Sequence, residues 1–271
     1  MNSSVPAKIP QRIAAVILMA MFMFAPNART SSLGPSDAIQ KGRTFLVDLR
    51  DSDLGLLPEY RSASVYWLFH DNYLAAKVLA FSHPQIARSI MAAIHREGGD
   101  KSGKIELIFG ESEKPLPFRQ YRLVDVRRAA NKLIRTEVAT DRVLDGWEQY
   151  ADLLLLACIA EGNRAVARQH WEAAIRLWDG KGFFDAAARH DQRYSTYKLG
   201  LALLAASRLS PAGKPPQGLL DKLLTLQDDS GGWITDYDAT GKRVGLANVE
   251  TTCLAILGIE AFTGRRQPLA K

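Results

Sequence analysis

The sequence predicts an all-α domain of about four helical hairpins carrying a small two-stranded β insertion. Three observations predict it. First, four segments lie over one another without gaps, starting at Trp67, Trp147, Tyr194 and Ala247, and each runs from a polar or aromatic tetrad into about ten residues dominated by Leu, Ala, Ile and Val. A helix apolar on nearly all sides is buried on nearly all sides, so these are candidate inner helices. Second, the last two steps between starts are 47 and 53 residues, the size of one hairpin, whereas the first is 80 and implies an insertion. Third, amphipathic stretches precede the apolar ones and supply their outer partners.

Taken in order, 36–50 is an amphipathic helix with Ser36-Asp37 available as its N-cap. The stretches 165–178 and 217–226 keep the same helical spacing, the latter after a Pro-rich linker at 211–216. Each partner is followed by a turn holding glycine and an apolar residue: Gly55-Leu56-Leu57, Gly182-Phe183-Phe184 and Gly231-Gly232-Trp233. Glycine supplies turn conformations that a side chain resists. The insertion covers about 98–126, with alternating stretches at 104–109 and 118–124 read as paired strands around Pro115 and Pro117. A helix over 127–137 follows it. A single domain over 36–271 results, with no linker dividing it.

The first 35 residues read differently. Lys8 and Arg12 precede thirteen apolar residues, Ile13 to Ala25. That run is too short for a bilayer-spanning helix, which needs roughly 20 residues. A basic flank before a short apolar core is the form of a secretory signal peptide over 1–28, with 29–35 as a linker. The expected location is extracytoplasmic, periplasmic or secreted. The alternative is a signal anchor through 13–25, the only membrane contact expected.

Composition is that of a folded globular chain, 47% apolar and 24% charged. Loss of Lys8 and Arg12 with the signal lowers the net charge from +6 to +4. The densest basic cluster is Arg119, Arg122, Arg127, Arg128, Lys132 and Arg135. No nucleic-acid motif surrounds it, so a solvated face or contact with an anionic envelope polymer is expected and a nucleic-acid partner is not. Cys158 and Cys253 sit in apolar helical stretches, as small core residues do; export permits a disulfide, and the sequence leaves their pairing open. Neither lies near a histidine at metal-ligand spacing, so no metal and no cofactor is expected. His83, His95, His170 and His190 share no spacing.

Gln227-Asp-Asp-Ser-Gly-Gly-Trp233 resembles the glutamine–tryptophan repeat, Q-x(3)-G-x-W, of squalene and oxidosqualene cyclases. Asn248-Val-Glu-Thr-Thr-Cys-Leu-Ala-Ile-Leu257 resembles the inner-helix start of the wider α/α-toroid group, which includes terpenoid cyclases, protein prenyltransferase β subunits and complement-type thioester domains. The resemblance covers 217–259 in detail and the rest in architecture only. It implies a partial α/α toroid, short of the usual six hairpins. The family's D-x-D-D and DDxxD motifs, the prenyltransferase zinc ligands and the GCGEQ thioester sequence are all missing. The resemblance therefore implies a fold and no particular chemistry.

In such a fold the inner-helix starts ring a central cleft, and the overlay puts His70, Tyr150, Tyr197 and Glu250 at one equivalent position. Glu250, His70 and Asp71 are the candidate catalytic residues, because carboxylates and an imidazole exchange protons when their environments differ. Trp67, Asn72, Trp147, Glu148, Tyr150, Tyr194, Tyr197 and Asn248 are the candidate ligand-binding residues. Flat aromatic faces with polar handles suit sugar rings or isoprenoid chains. Asp71, Asn72, Asn248 and Thr251 are also the types that cap helices, and Trp233 with its glycines reads as a structural tie. Three functions follow: a carbohydrate or small-molecule site in the cell envelope, a non-catalytic scaffold for a protein partner, or a terpenoid-cyclase-like isoprenoid binder. Whether the chain is an enzyme is left open.

Overall fold

The computed structural model describes residues 34–98, 104–111, 116–210 and 213–264. The signal peptide or anchor and most of the linker lie outside the described residues. Among these, no helix is long and apolar enough to cross a membrane.

The outer helix α1 (Pro35–Asp48) starts on a proline and turns Ala38, Ile39, Phe45 and Leu46 inward. A short strand, β1 (Val65–Trp67), leads into a six-residue π-helical turn, Leu68–Tyr73, and then α2 (Leu74–Leu79). The helix α3 (Pro84–Glu97) packs on α2 and stops at Gly98, whose φ of 66° is left-handed. Beyond the long ribbon β2 (Arg119–Ala129) and β3 (Lys132–Val143) come α4 (Ala151–Ala160), α5 (Arg164–Ile175), α6 (Ala186–Asp191) and the two-residue β4 (Tyr194–Ser195). The chain then forms α7 (Tyr197–Leu209), α8 (Leu219–Thr225), β5 (Trp233–Tyr237), β6 (Arg243–Asn248) and α9 (Val249–Phe262).

The apolar segments α2, α4, α7 and α9 are buried along almost their whole length. α9 packs between α7 and α2 with α1 on its outer side, and α4 packs on α7 with α5 outside it. Gly200 and Gly258 set how close α7 and α9 come. A Cβ on Gly258 would strike the Gly200 backbone, and one on Gly200 would strike that of Leu254. The glutamine–tryptophan motif is a tie at the edge of this group. Gln227 Nε2 donates to the carbonyls of Ala38 and Gly231, both at 2.8 Å, and the fully buried Trp233 donates its indole N–H to Leu223 at 2.8 Å.

The all-α expectation is wrong. Among the described residues there are nine α-helices and six strands in two small sheets, with 50% helix and 19% strand, a mixed α/β class. The helix expected over 127–137 is a strand ribbon. Ala130, at φ 51°, and Asn131 close a two-residue hairpin between Ala129 and Lys132. β3 then places Ile134, Thr136, Val138 and Thr140 at strand spacing, where branched side chains favour the pleat. The strand expected over 104–109 is instead a 3-10 turn, Glu106–Phe109, ended by left-handed Gly110. Ile105, Leu107 and Ile108 are all buried, which alternation would not allow. The sheet orders are β1–β3–β2, with β1 parallel to β3, and β4–β5–β6, antiparallel. In the second sheet the 238–242 turn is held by Asp238, whose Oδ1 accepts from the N–H groups of Thr240 and Lys242.

Candidate functional site

The starts of α4, α7 and α9 come together. Asp185, fully buried, caps α6 through the Ala188 N–H and reaches the Ala151 N–H at 2.9 Å, fixing where α4 begins. Lys198 neutralises it at 2.6 Å, with 2% of its side chain exposed. That buried pair ties α7 to α4 and sets Tyr197 beside Asp152, to which the phenol donates at 3.1 Å. α9 is placed by Asn248, whose side chain accepts from the Thr251 N–H, and by the Val249 N–H, which donates to the Glu59 carbonyl at 3.0 Å. Glu250 follows, one residue into the helix.

Two adjoining hollows open here. The inner one, about 20 Å³ and room for roughly one water, is lined by Asp152, Tyr197 and Glu250 over an apolar floor of Ile105, Ile108, Leu156, Leu201 and Leu254. The outer one, about 130 Å³, is lined by Phe118, Arg119, Tyr121, Leu144, Tyr150 and Leu153. Lys104 and Asp152 belong to both, so the hollows form one cleft with an acidic inner end and an aromatic outer end.

The electrostatics of the inner end are unusual. Asp71 is 2% exposed, and its Oδ2 has no hydrogen-bond partner. Burial, the nearby Glu250 and then Glu59 hold its carboxyl well above the ordinary range, against a bond from the Glu250 N–H. Burial and the neighbouring carboxylates thus favour the protonated form of Asp71. Burial, Asp152 and Glu250 likewise push Tyr197 upward, and burial with Asp71 and Glu250 keeps the Cys253 thiol protonated. At the ribbon side His70 Nε2 lies 2.8 Å from Glu137. Burial raises Glu137, but the His70 bond and the charges of His70 and Lys104 outweigh it and hold the carboxyl below its usual value. Tyr121 is pushed up to about 12 by burial, Glu106 and Glu137.

Of the residues singled out in the sequence, Glu250, Tyr197 and Tyr150 line the cleft. Asp71 and His70 line neither hollow: Asp71 interacts with Glu250 electrostatically, and His70 pairs with Glu137 of β3. The π-helical turn carries both, a backbone form common at working sites. Trp67 stacks on His70 at 6.1 Å between ring centres, with the Arg135 guanidinium 5.9 Å from its ring. The others are engaged elsewhere. Asn72 binds the backbone of Leu57 and Trp67, Trp147 packs on Phe118 and His170, and Tyr194 stacks on Tyr237 and donates to Asp179. Glu148 is exposed, and Asn248 is a helix cap. Lys104, Tyr121, Glu59 and Glu137 were not among the candidates. The repeat overlay gave no signal for the three that lie in the insertion and ribbon.

Cys158 and Cys253 are buried free thiols. Among the described residues no group of three His, Cys, Asp or Glu side chains is placed to hold a metal ion. No protein-family model matches the chain, and no curated protein matches it significantly.

Proposed function

We propose that this chain is an extracytoplasmic protein that binds or processes a carbohydrate in the cleft at the starts of α4, α7 and α9. The observation that carries the reading is the cleft's lining. Tyr121 and Tyr150 offer faces for a sugar ring at the outer end, and Asp152, Tyr197 and Glu250 offer hydroxyl-binding groups at the inner end. Buried Asp71 interacts with Glu250 electrostatically, so Glu250 is the base and Asp71 the proton-holding partner if a reaction occurs there. Export rests on Lys8, Arg12 and the apolar run before Pro26.

An isoprenoid ligand fits less well. A hydrocarbon binder needs an apolar chamber, and the segment 105–109 occupies the space such a chamber would take. Its Ile105 and Ile108 share a lining with α4, α7 and α9, and Phe109 stacks edge-on against Tyr73 at 5.8 Å.

The test is Glu250→Gln in the exported chain, titrated with oligosaccharides and followed by ligand-observed NMR. The variant loses binding while its unfolding free energy stays within about 1 kcal/mol of the parent, because no buried hydrogen-bond network is broken. A large loss of stability would make Glu250 structural, and unchanged binding would remove it from the site.

A further inference from the structure

We infer that the end of the molecule opposite the cleft docks on an anionic lipid bilayer, with the exposed rings of Phe81 and Phe262 entering its interface. The inference is independent of what the cleft binds.

Helix directions bring both rings to one end. The π-helical turn before α2 starts beside α9, where the Glu250 N–H donates to Asp71, and α2 packs along α9, so the two run parallel. Phe81 lies ten residues beyond Asp71, and Phe262 twelve beyond Glu250. At the helical rise those are similar heights, roughly 15 and 18 Å from the helix starts. Phe81 is 72% exposed and Phe262 41%, although the helices that lead to them are buried almost throughout. A lone exposed apolar side chain is ordinary. Two phenylalanine rings on neighbouring helix ends, facing water at one end of the fold, suit a membrane interface.

Both termini join the fold at this end. Phe45 and Ala247 flank Gly232 by the start of α9, whereas Gly42 lies against Ile256 and Arg43 pairs with Glu260 farther along it. α1 is therefore antiparallel to α9, and Pro35 is at the Phe262 end. The apolar run 13–25 stops nine residues before Gly34. A chain that keeps that run is tethered to a membrane at this end.

Charge selects the kind of bilayer. Among the described residues the charges at these helix ends balance, Arg88, Arg164 and Lys214 against Asp37, Glu161 and Asp221. The seven residues after Gly264 then add Arg265, Arg266 and Lys271 and no acid. Cations next to an inserted apolar patch draw it to anionic headgroups. The ribbon is the other basic region, but Arg127 is paired with Glu97, Lys132 with Asp51, and Arg128 and Arg135 with Asp125.

The experiment places an environment-sensitive bimane label at one exposed position at a time in the full chain. Cys158 and Cys253 are buried, so an introduced surface thiol is labelled selectively. The variants are Phe81→Cys and Phe262→Cys, with Leu123→Cys marking the ribbon and Leu246→Cys the cleft end, both exposed. Each is mixed with phosphatidylglycerol or phosphatidylcholine vesicles that carry a nitroxide on a lipid acyl chain. On phosphatidylglycerol the labels at 81 and 262 shift to the blue and are quenched several-fold more than those at 123 and 246. High salt, or Arg265→Gln/Arg266→Gln, lowers that quenching toward its value on phosphatidylcholine. Labels at 81 and 262 that stay in water overturn the inference. Stronger quenching at 123 or 246 overturns it too, by putting the ribbon or the cleft end on the bilayer. Equal quenching on both lipids overturns the choice of an anionic surface.

Discussion

At the scale of single residues, Asp71 concentrates the physics of the site. Its folded-state carboxyl titrates above the unfolded value of 3.8 because burial, Glu250 and Glu59 all disfavour the anion. A group whose pKa is raised on folding binds its proton more tightly in the folded state. Its contribution to stability is therefore fully present below 3.8 and is lost as pH rises through the folded value. Asn has nearly the shape of the protonated acid and cannot ionise. Asp71→Asn is thus expected to match the parent at pH below 3.8 and to equal or exceed its stability toward neutral pH, flattening the pH dependence. Urea unfolding across pH measures this. An Asn variant less stable than the parent at neutral pH would mean that Asp71 is charged and paired there, and the proton-holding role would go with it.

At the scale of elements, the α7–α9 contact turns on two glycines. Both helices are buried around this point, so neither has room to retreat from an added methyl. Gly258→Ala places Cβ against the Gly200 backbone and is expected to cost about 1–3 kcal/mol as overpacking, despite alanine's better helix propensity. A variant as stable as the parent in urea would show that the helices are not in backbone contact. The same elements mark what the sequence makes legible. α4, α7 and α9 could be placed because an apolar surface on every side has one physical outcome, burial. The ribbon was lost because Arg127 to Glu137 is polar enough to pass for a solvated helix, and its hairpin turns on Ala130 rather than glycine. β5 and β6 were lost because Trp233 to Asn248 read as a turn and a polar loop, with no pattern to distinguish strand pairing from coil. The cleft was legible only where helix starts build it. Glu250, Tyr197 and Tyr150 repeat with the hairpins, whereas Lys104, Tyr121 and Glu137 come from segments outside the repeat.

At the scale of the molecule, the segment 105–111 decides what kind of interior this chain has. It enters between the helices at the cleft, where Ile105 floors the inner hollow, and leaves at the far end, where Glu111 bonds Tyr73 and Lys77 of the π-helical turn and α2. Midway, the Arg208 guanidinium of α7 donates to the Ile108 carbonyl at 3.2 Å. The segment's first four residues, 105–108, are buried against these helices and act as core, not as a surface insertion. Ile108→Ala is then expected to cost about 2–5 kcal/mol, the lost transfer energy plus the cavity left behind, and to lower the urea midpoint with little change in slope. A cost below about 1 kcal/mol, within the range of surface substitutions, would show that the helices close on one another without the segment. An apolar interior would then be accessible after all, and the case against an isoprenoid ligand would lose its footing.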